Sequence, residues 1–322
     1  MQQPIYRYDL PQLRGETLLT EGGLELTLVF EEGYELPCFA AFPVLETEEG
    51  REFIRRYQRR FIDIARRAGT GLLMCTNTWR ASRGWGEQLG YSSQDIRRIN
   101  RFAVELVCEA RAEAGEGVGP LVACGAVGPR RDGYVADLVM TAEEAQAYHA
   151  DQIETLAGTA ADLVTAFTLT NVNEAIGIAK AAASVRMPCA ISFTVETDGR
   201  LPSGVSLREA VERTDEATGG SPAYYMVNCA HPTHYAHVFE DAGPWSERLL
   251  GVMSNASCKS HEELEACTEP DYGDPEDFGR RTSALRRILP HLTVLGGCCG
   301  TDHRHIQAVA DHAGRGPKSD AA

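Results

Sequence analysis

No apolar run in this chain approaches the roughly 20 residues that a membrane-spanning helix needs, which excludes a helical span. The first ten residues, MQQPIYRYDL, have neither the basic nor the apolar region of a secretory signal, so a cytoplasmic location is expected. Positive charge is short relative to negative: 31 lysines and arginines face 46 aspartates and glutamates, a formal net charge of -15. That balance disfavours nucleic acid and anionic membrane as partners and mildly favours cationic ligands, although solubility alone suffices to explain it. No shift of composition marks a linker, so one domain is expected. The ten cysteines lack the spacing of a disulfide framework, and most read as inert core thiols in a reducing compartment.

What is present is enough apolar material for a large core. At 322 residues and 43% hydrophobic content, the chain exceeds the usual single-domain size unless it forms an α/β barrel. Short apolar runs alternate with longer amphipathic ones. Strands are expected at Leu18 to Thr20, Gly71 to Thr76, Leu121 to Ala126, Asp162 to Leu169, Pro188 to Thr194, Ala223 to Asn228, Leu249 to Ser254 and Thr293 to Gly296. Between them lie helical patterns. In Arg51 to Ala68, Phe53, Tyr57, Phe61 and Ala65 recur at near-helical spacing, and Thr141 with Glu144 three residues on has the form of a capping box. Eight strands interleaved with helices predict a (β/α)8 TIM barrel over residues 1–314, followed by a disordered tail at 315–322. On the count alone a doubly wound sheet is the rival.

Chemistry concentrates where the last strand ends. In VLGGCCGTDHRHI an apolar run passes through a glycine pair into adjacent Cys298 and Cys299, then Gly300 and a helical segment. Two thiols presented at a strand-to-helix turn suggest a metal, but zinc takes three or four ligands, so another donor is required. Cys229 is the best candidate, because YYMVNCAHP is a second apolar run that ends in a polar residue and a cysteine. Glu21-Gly22-Gly23, Thr76-Asn77, Gly128-Pro129, Phe193-Thr194, Asn228-Cys229 and Ser254-Asn255 also fall at or just after strand ends. In a barrel such positions line one rim, where barrels place their chemistry.

These motifs resemble the homocysteine S-methyltransferase family from about Leu18 to His312. The most specific elements are the NC of VNCAHP, GGCCGT near the C-terminus, and ISFT followed by DGRLPSGVSL. The resemblance implies a zinc-containing barrel in which Cys229, Cys298 and Cys299 bind Zn2+ and the homocysteine sulfur takes the open position. The partners it implies are small molecules, a thiol acceptor and a methyl donor. The donor needs a positively charged leaving centre, as S-methylmethionine, S-adenosylmethionine and betaine have, and the compact length points to a sulfonium. Methionine is the expected product. Substrate contacts are expected from Glu21, Gly22, Gly23, Thr76, Asn77, Phe167, Phe193, Asn228 and Asn255. Trp79 and Trp85 are further candidates to face a sulfonium by cation–π attraction, packing being the competing role. A homo-oligomer is left open, and a cobalamin-dependent reaction would need a separate partner protein.

One departure bears on the acceptor. Phe167 aligns where the family commonly has a glutamate that holds the amino group of homocysteine, and Glu21 stands where many relatives have aspartate. The acceptor is therefore either another thiol or homocysteine held differently, with Glu174, about a turn into the following helix, as a candidate replacement acid. Two rival classes remain: a non-catalytic zinc or thiol sensor, and a zinc hydrolase using His231, His234 and His237, whose spacing puts them on no common face with Cys229.

Overall fold

The computed structural model describes residues 3–137, 140–240 and 243–313. Eight parallel strands close into a barrel in the order of the chain: β1 (Leu18–Thr20), β2 (Gly71–Cys75), β3 (Leu121–Val127), β4 (Leu163–Leu169), β5 (Cys189–Phe193), β6 (Tyr224–Asn228), β7 (Leu249–Ser254) and β8 (Val294–Gly297). Closure comes from β8 pairing back onto β1 through Leu18 with Val294 and Leu19 with Leu295. The architecture is a (β/α)8 TIM barrel, and each strand lies within two residues of its expected place. The expected disordered tail lies outside the described residues.

The side-chain period of two along a strand divides the core into two layers. Leu18, Leu73, Val122, Cys124, Tyr224 and Met226 fill the barrel interior. Their neighbours Leu19, Leu72, Ala123, Tyr225 and Val227 belong to the larger cluster between strands and helices. That outer layer explains the helices. In Glu48–Ala68 the residues Phe53, Tyr57, Phe61 and Ala65 are buried, and Thr47 caps the first turn by accepting from the Gly50 amide. In Ala142–Ala157 the expected capping box of Thr141 and Glu144 is present. No described helix is long and apolar enough to cross a membrane.

The N-terminal segment seals the barrel at the end away from the strand C-termini. Asp162, fully buried at the start of β4, accepts from the amides of Ile5 and Tyr6 at 2.8 Å each, from the Ala123 amide at 2.9 Å, and from Arg111 at 2.8 Å. Removing one partner of a buried ion pair leaves an uncompensated charge, at a cost of about 3–5 kcal/mol. Asp162→Ala is accordingly expected to lower unfolding free energy by about that much. Urea denaturation measures it, and a loss below about 1 kcal/mol would contradict the assigned role.

Candidate active site

At the C-terminal rim, the turn after β6 and the turn after β8 bring three cysteines together. The sulfurs of Cys229, Cys298 and Cys299 all lie within 4.8 Å of one another. Those of Cys229 and Cys299 are 4.0 Å apart. The Cys229 and Cys298 sulfurs are in disulfide-like contact, with Cα atoms 5.5 Å apart. Only the reduced pair can ligate a metal.

Backbone contacts fix both turns. Cys229 has φ +54°, a left-handed conformation that costs an L-residue about 1–2 kcal/mol. Its amide donates to Met253 O at 3.1 Å, and His261 Nε2 donates to its carbonyl at 2.7 Å. On the other turn the Cys298 amide donates to Ser254 O at 2.7 Å and the Cys299 amide to Asn255 Oδ1 at 3.1 Å. The Thr301 hydroxyl donates to Cys298 O at 2.7 Å. Gly22 and Gly23 allow β1 to lie against this turn: a Cβ on Gly23 would sit 2.6 Å from Cys298 O, and one on Gly22 2.8 Å from Thr301 O.

Polar groups also aim at the sulfurs. Asn228 Nδ2 donates to Cys229 Sγ at 3.3 Å and to Thr168 Oγ1 at 2.8 Å, while its Oδ1 accepts from Ser192 Oγ at 2.6 Å. The Tyr134 hydroxyl is 3.3 Å from Cys299 Sγ, and its ring stacks on His261 with centroids 4.0 Å apart. Burial pushes the Cys299 thiol up to about 11, so without a cation this thiol stays protonated at neutral pH. The 4.0 Å between the Cys229 and Cys299 sulfurs is close to the roughly 3.8 Å expected around a tetrahedral ion with metal–sulfur bonds near 2.3 Å, so with the Cys229–Cys298 contact opened the three thiols fit zinc. Three protein donors would leave one of zinc's four positions open, as catalytic zinc sites do.

The sulfurs open onto a cavity of about 520 Å³. Glu21, Gly22, Gly23, Thr76, Asn77, Phe167 and Asn228 all line it. Glu21 is the most unusual of them. Its Oε2 accepts from the Cys75 amide at 2.9 Å, while Oε1 is buried with no partner among the described residues. Burial raises its carboxyl to about 8, the Cys75 hydrogen bond opposing only in part. Phe167 packs in the barrel interior, so the wall is apolar where an acid was aligned.

Several expectations need correction. Phe193 does not reach the cavity: it is fully buried in the outer layer and stacks on Tyr225, because its place in β5 turns it toward the helices. Asn255 is buried behind the turn, where it holds the Cys299 amide, and does not line the cavity. Glu174 is no substitute acid, since its carboxylate accepts from the Arg130 amide and pairs with His149 below the rim. His231, His234 and His237 bond to Thr233, Cys258 O and Asp198 O respectively, and the three cysteines form the one metal-capable cluster among the described residues. Trp79 and Trp85 already carry a cation, the Arg80 guanidinium, 4.3 and 3.8 Å from their ring centroids. Tyr134, Asp132 and Arg80 also line the cavity, and no sequence signal marks them. The first two lie in the loop after β3, where no periodic pattern marks which side chains turn inward.

Comparison with known proteins agrees with this architecture. The chain is similar to the selenocysteine Se-methyltransferase of Brassica oleracea var. italica, at 23% identity over 246 residues, 69% of each chain. Its fold matches the homocysteine methyltransferase MmuM from Escherichia coli. The oxidised form gives a TM-score of 0.72 at 22% identity, covering 93% of this chain and 99% of that one. The metallated form gives 0.71 at 21% identity, covering 94% and 98%. The model of the family described as homocysteine S-methyltransferase matches residues 18–313, and the chain belongs to this family of S-methyltransferases.

Proposed function

We propose that the protein is a zinc-dependent methyltransferase that moves a methyl group from a sulfonium or betaine-type donor to the thiol of homocysteine, giving methionine. The observation that carries this reading is the meeting of Cys229, Cys298 and Cys299 in the lining of one cavity. Those three residues would hold the ion, which when bound supplies the positive charge that keeps the cysteines and an incoming thiol ionised. The existence of a metallated form of the E. coli homocysteine methyltransferase supports a metal at the corresponding place, and the three-sulfur donor set favours zinc.

The remaining work falls to the chain's own groups. Asn228 and Tyr134 would direct N–H and O–H dipoles at the anionic sulfurs, and Gly23 lets the acceptor side of the rim close against Cys298. Glu21 would supply the charge that Phe167 does not, its unpartnered oxygen taking the acceptor's ammonium once the carboxyl is ionised. Six acidic residues line the cavity, Glu21, Glu25, Asp132, Glu265, Glu269 and Asp271, which suits a cationic donor. In the transfer, the acceptor's thiolate forms a new bond to the methyl carbon. The donor's bond to that carbon breaks, and the leaving sulfide or amine keeps the electron pair. Alignment of the two substrates is worth about 7–11 kcal/mol of barrier.

The apolar wall at Phe167 favours a second reading, in which another thiol or a selenol is the natural acceptor. A matrix of S-methylmethionine, S-adenosylmethionine and betaine against homocysteine, cysteine and selenocysteine decides between them, with methylated product followed by mass. Homocysteine with a sulfonium is expected to give the highest kcat/KM. No product from any pair would overturn the assignment.

A further inference from the structure

The cavity is lined by six acidic residues but one basic residue, Arg80. Arg80 directly follows the Asn77-Thr78-Trp79 run at the end of β2, and it is 7% exposed. Its guanidinium lies between two indoles, 4.3 Å from the Trp79 ring centroid and 3.8 Å from that of Trp85. The indoles are themselves anchored, Trp79 Nε1 donating to Phe167 O at 3.3 Å and Trp85 Nε1 to Pro129 O at 3.1 Å. The guanidinium is thus held in a set plane. Yet it is scarcely used: Nη1 donates to Arg131 O at 2.7 Å, Nε is buried without a partner, and no carboxylate lies within 4.0 Å among the described residues. Asp132 shares the wall, but its Oδ1 accepts from the amides of Tyr134 and Val135 at 2.6 and 3.1 Å.

Nε is enclosed, but Nη2 donates to no described residue and is not enclosed, so it is the N–H that a ligand in the cavity can reach. Burial brings the Arg80 guanidinium down only to about 10, so it is charged at neutral pH. The fork geometry of arginine matches a carboxylate better than any other small anion of an amino acid, and the indoles remove the rotational freedom that would otherwise be lost on binding. No other basic side chain among the described residues lines the cavity to receive a carboxylate.

We propose that Arg80 is the carboxylate-binding residue of this cavity, receiving the α-carboxylate of an amino-acid substrate and so setting which end of the molecule faces the cysteines. The assignment rests on reading the cavity as a site for amino-acid methyl transfer. It makes Arg80 a specificity-determining group: carboxylated substrates are selected over their decarboxylated analogues. Either the acceptor or the donor brings the carboxylate, and the experiment separates the two.

The test is equilibrium binding to the purified full chain, followed by intrinsic fluorescence, since Trp79 and Trp85 are two of the three tryptophans. The acceptor arm compares L-homocysteine with 3-mercaptopropylamine. The donor arm compares S-methyl-L-methionine with (3-aminopropyl)dimethylsulfonium. In the unaltered protein, the carboxylated member of one arm is expected to bind about tenfold to a hundredfold more tightly, the range for a charge-assisted hydrogen bond. Arg80→Gln is expected to erase that preference by weakening the carboxylated ligand alone, and Arg80→Lys to keep part of it. Equal binding of both members in both arms of the unaltered protein overturns the proposal without reference to any variant. So does an Arg80→Gln protein that loses carboxylated and decarboxylated ligands alike, or neither. Since binding is read without turnover, a carboxylate preference in a protein that transfers no methyl group would refute the methyltransferase reading and leave this one standing. Transfer without the preference does the reverse.

Discussion

Cys298→Ser is expected to lose bound zinc and to lower kcat/KM for methyl transfer by about a thousandfold or more. A serine hydroxyl does not ionise at neutral pH and is a poor zinc ligand, so two sulfurs remain where a catalytic site needs three protein donors. Two effects then add. A thiol of pKa near 8.5 is only a few per cent ionised at neutral pH, and losing its coordination forfeits roughly 2 kcal/mol. Losing the anchored sulfur also forfeits part of the about 7–11 kcal/mol that alignment contributes, and about 4 kcal/mol in total already gives a thousandfold. Cys258→Ser serves as the comparison, being an exposed thiol outside the cavity lining. Zinc per chain and methylated product should both be unchanged there. A Cys298→Ser protein that kept its zinc and its rate would end the assignment of the cluster.

Glu21→Gln is expected to raise KM for homocysteine, lowering kcat/KM by roughly thirtyfold or more. Truncating one side of a buried charge pair costs about 2–5 kcal/mol, and Glu21 offers the buried carboxylate oxygen left unpartnered in the cavity. The pH dependence follows from its raised carboxyl, which moves from 4.5 to about 8 on burial. Below 4.5 the group is protonated in both the folded and the unfolded chain. Between 4.5 and about 8 the unfolded chain releases a proton that the folded chain retains. Ionisation therefore favours unfolding across that window, and the stability present at low pH is lost as pH rises through it. Thermal melts of the ligand-free protein should show this decline, and Glu21→Gln should flatten it. Binding runs the other way, because an ammonium needs the ionised carboxylate. KM for homocysteine should fall more steeply as pH rises toward about 8 in the unaltered protein than in the variant, where only the thiol's own proton loss remains. A parallel pH response in both proteins would remove Glu21 from the acceptor site.

Much of this was legible without coordinates. The eight strands announced themselves because buried parallel strands are continuous apolar runs bounded by glycine and polar residues, and the helices because one apolar face must cover them. Cys229 and the vicinal pair were legible for a related reason: each follows directly on such a run, so a barrel puts them at one rim. Phe193 shows the limit. It follows its strand pattern as closely as Phe167 does, but the two turn to opposite sides of the barrel wall. Loop residues carry no period at all, so Tyr134 could not be seen approaching Cys299 from a position 165 residues away.

The order of strands and helices, the membership of a methyltransferase family and the three cysteines that meet at the rim were determined by the sequence, because local pattern and motif suffice for each. Which side chains face the cavity was decided by tertiary structure. Strand twist and barrel closure set the direction of every wall residue, and only the packed rim leaves Glu21 with one free oxygen and clamps Arg80 between two indoles.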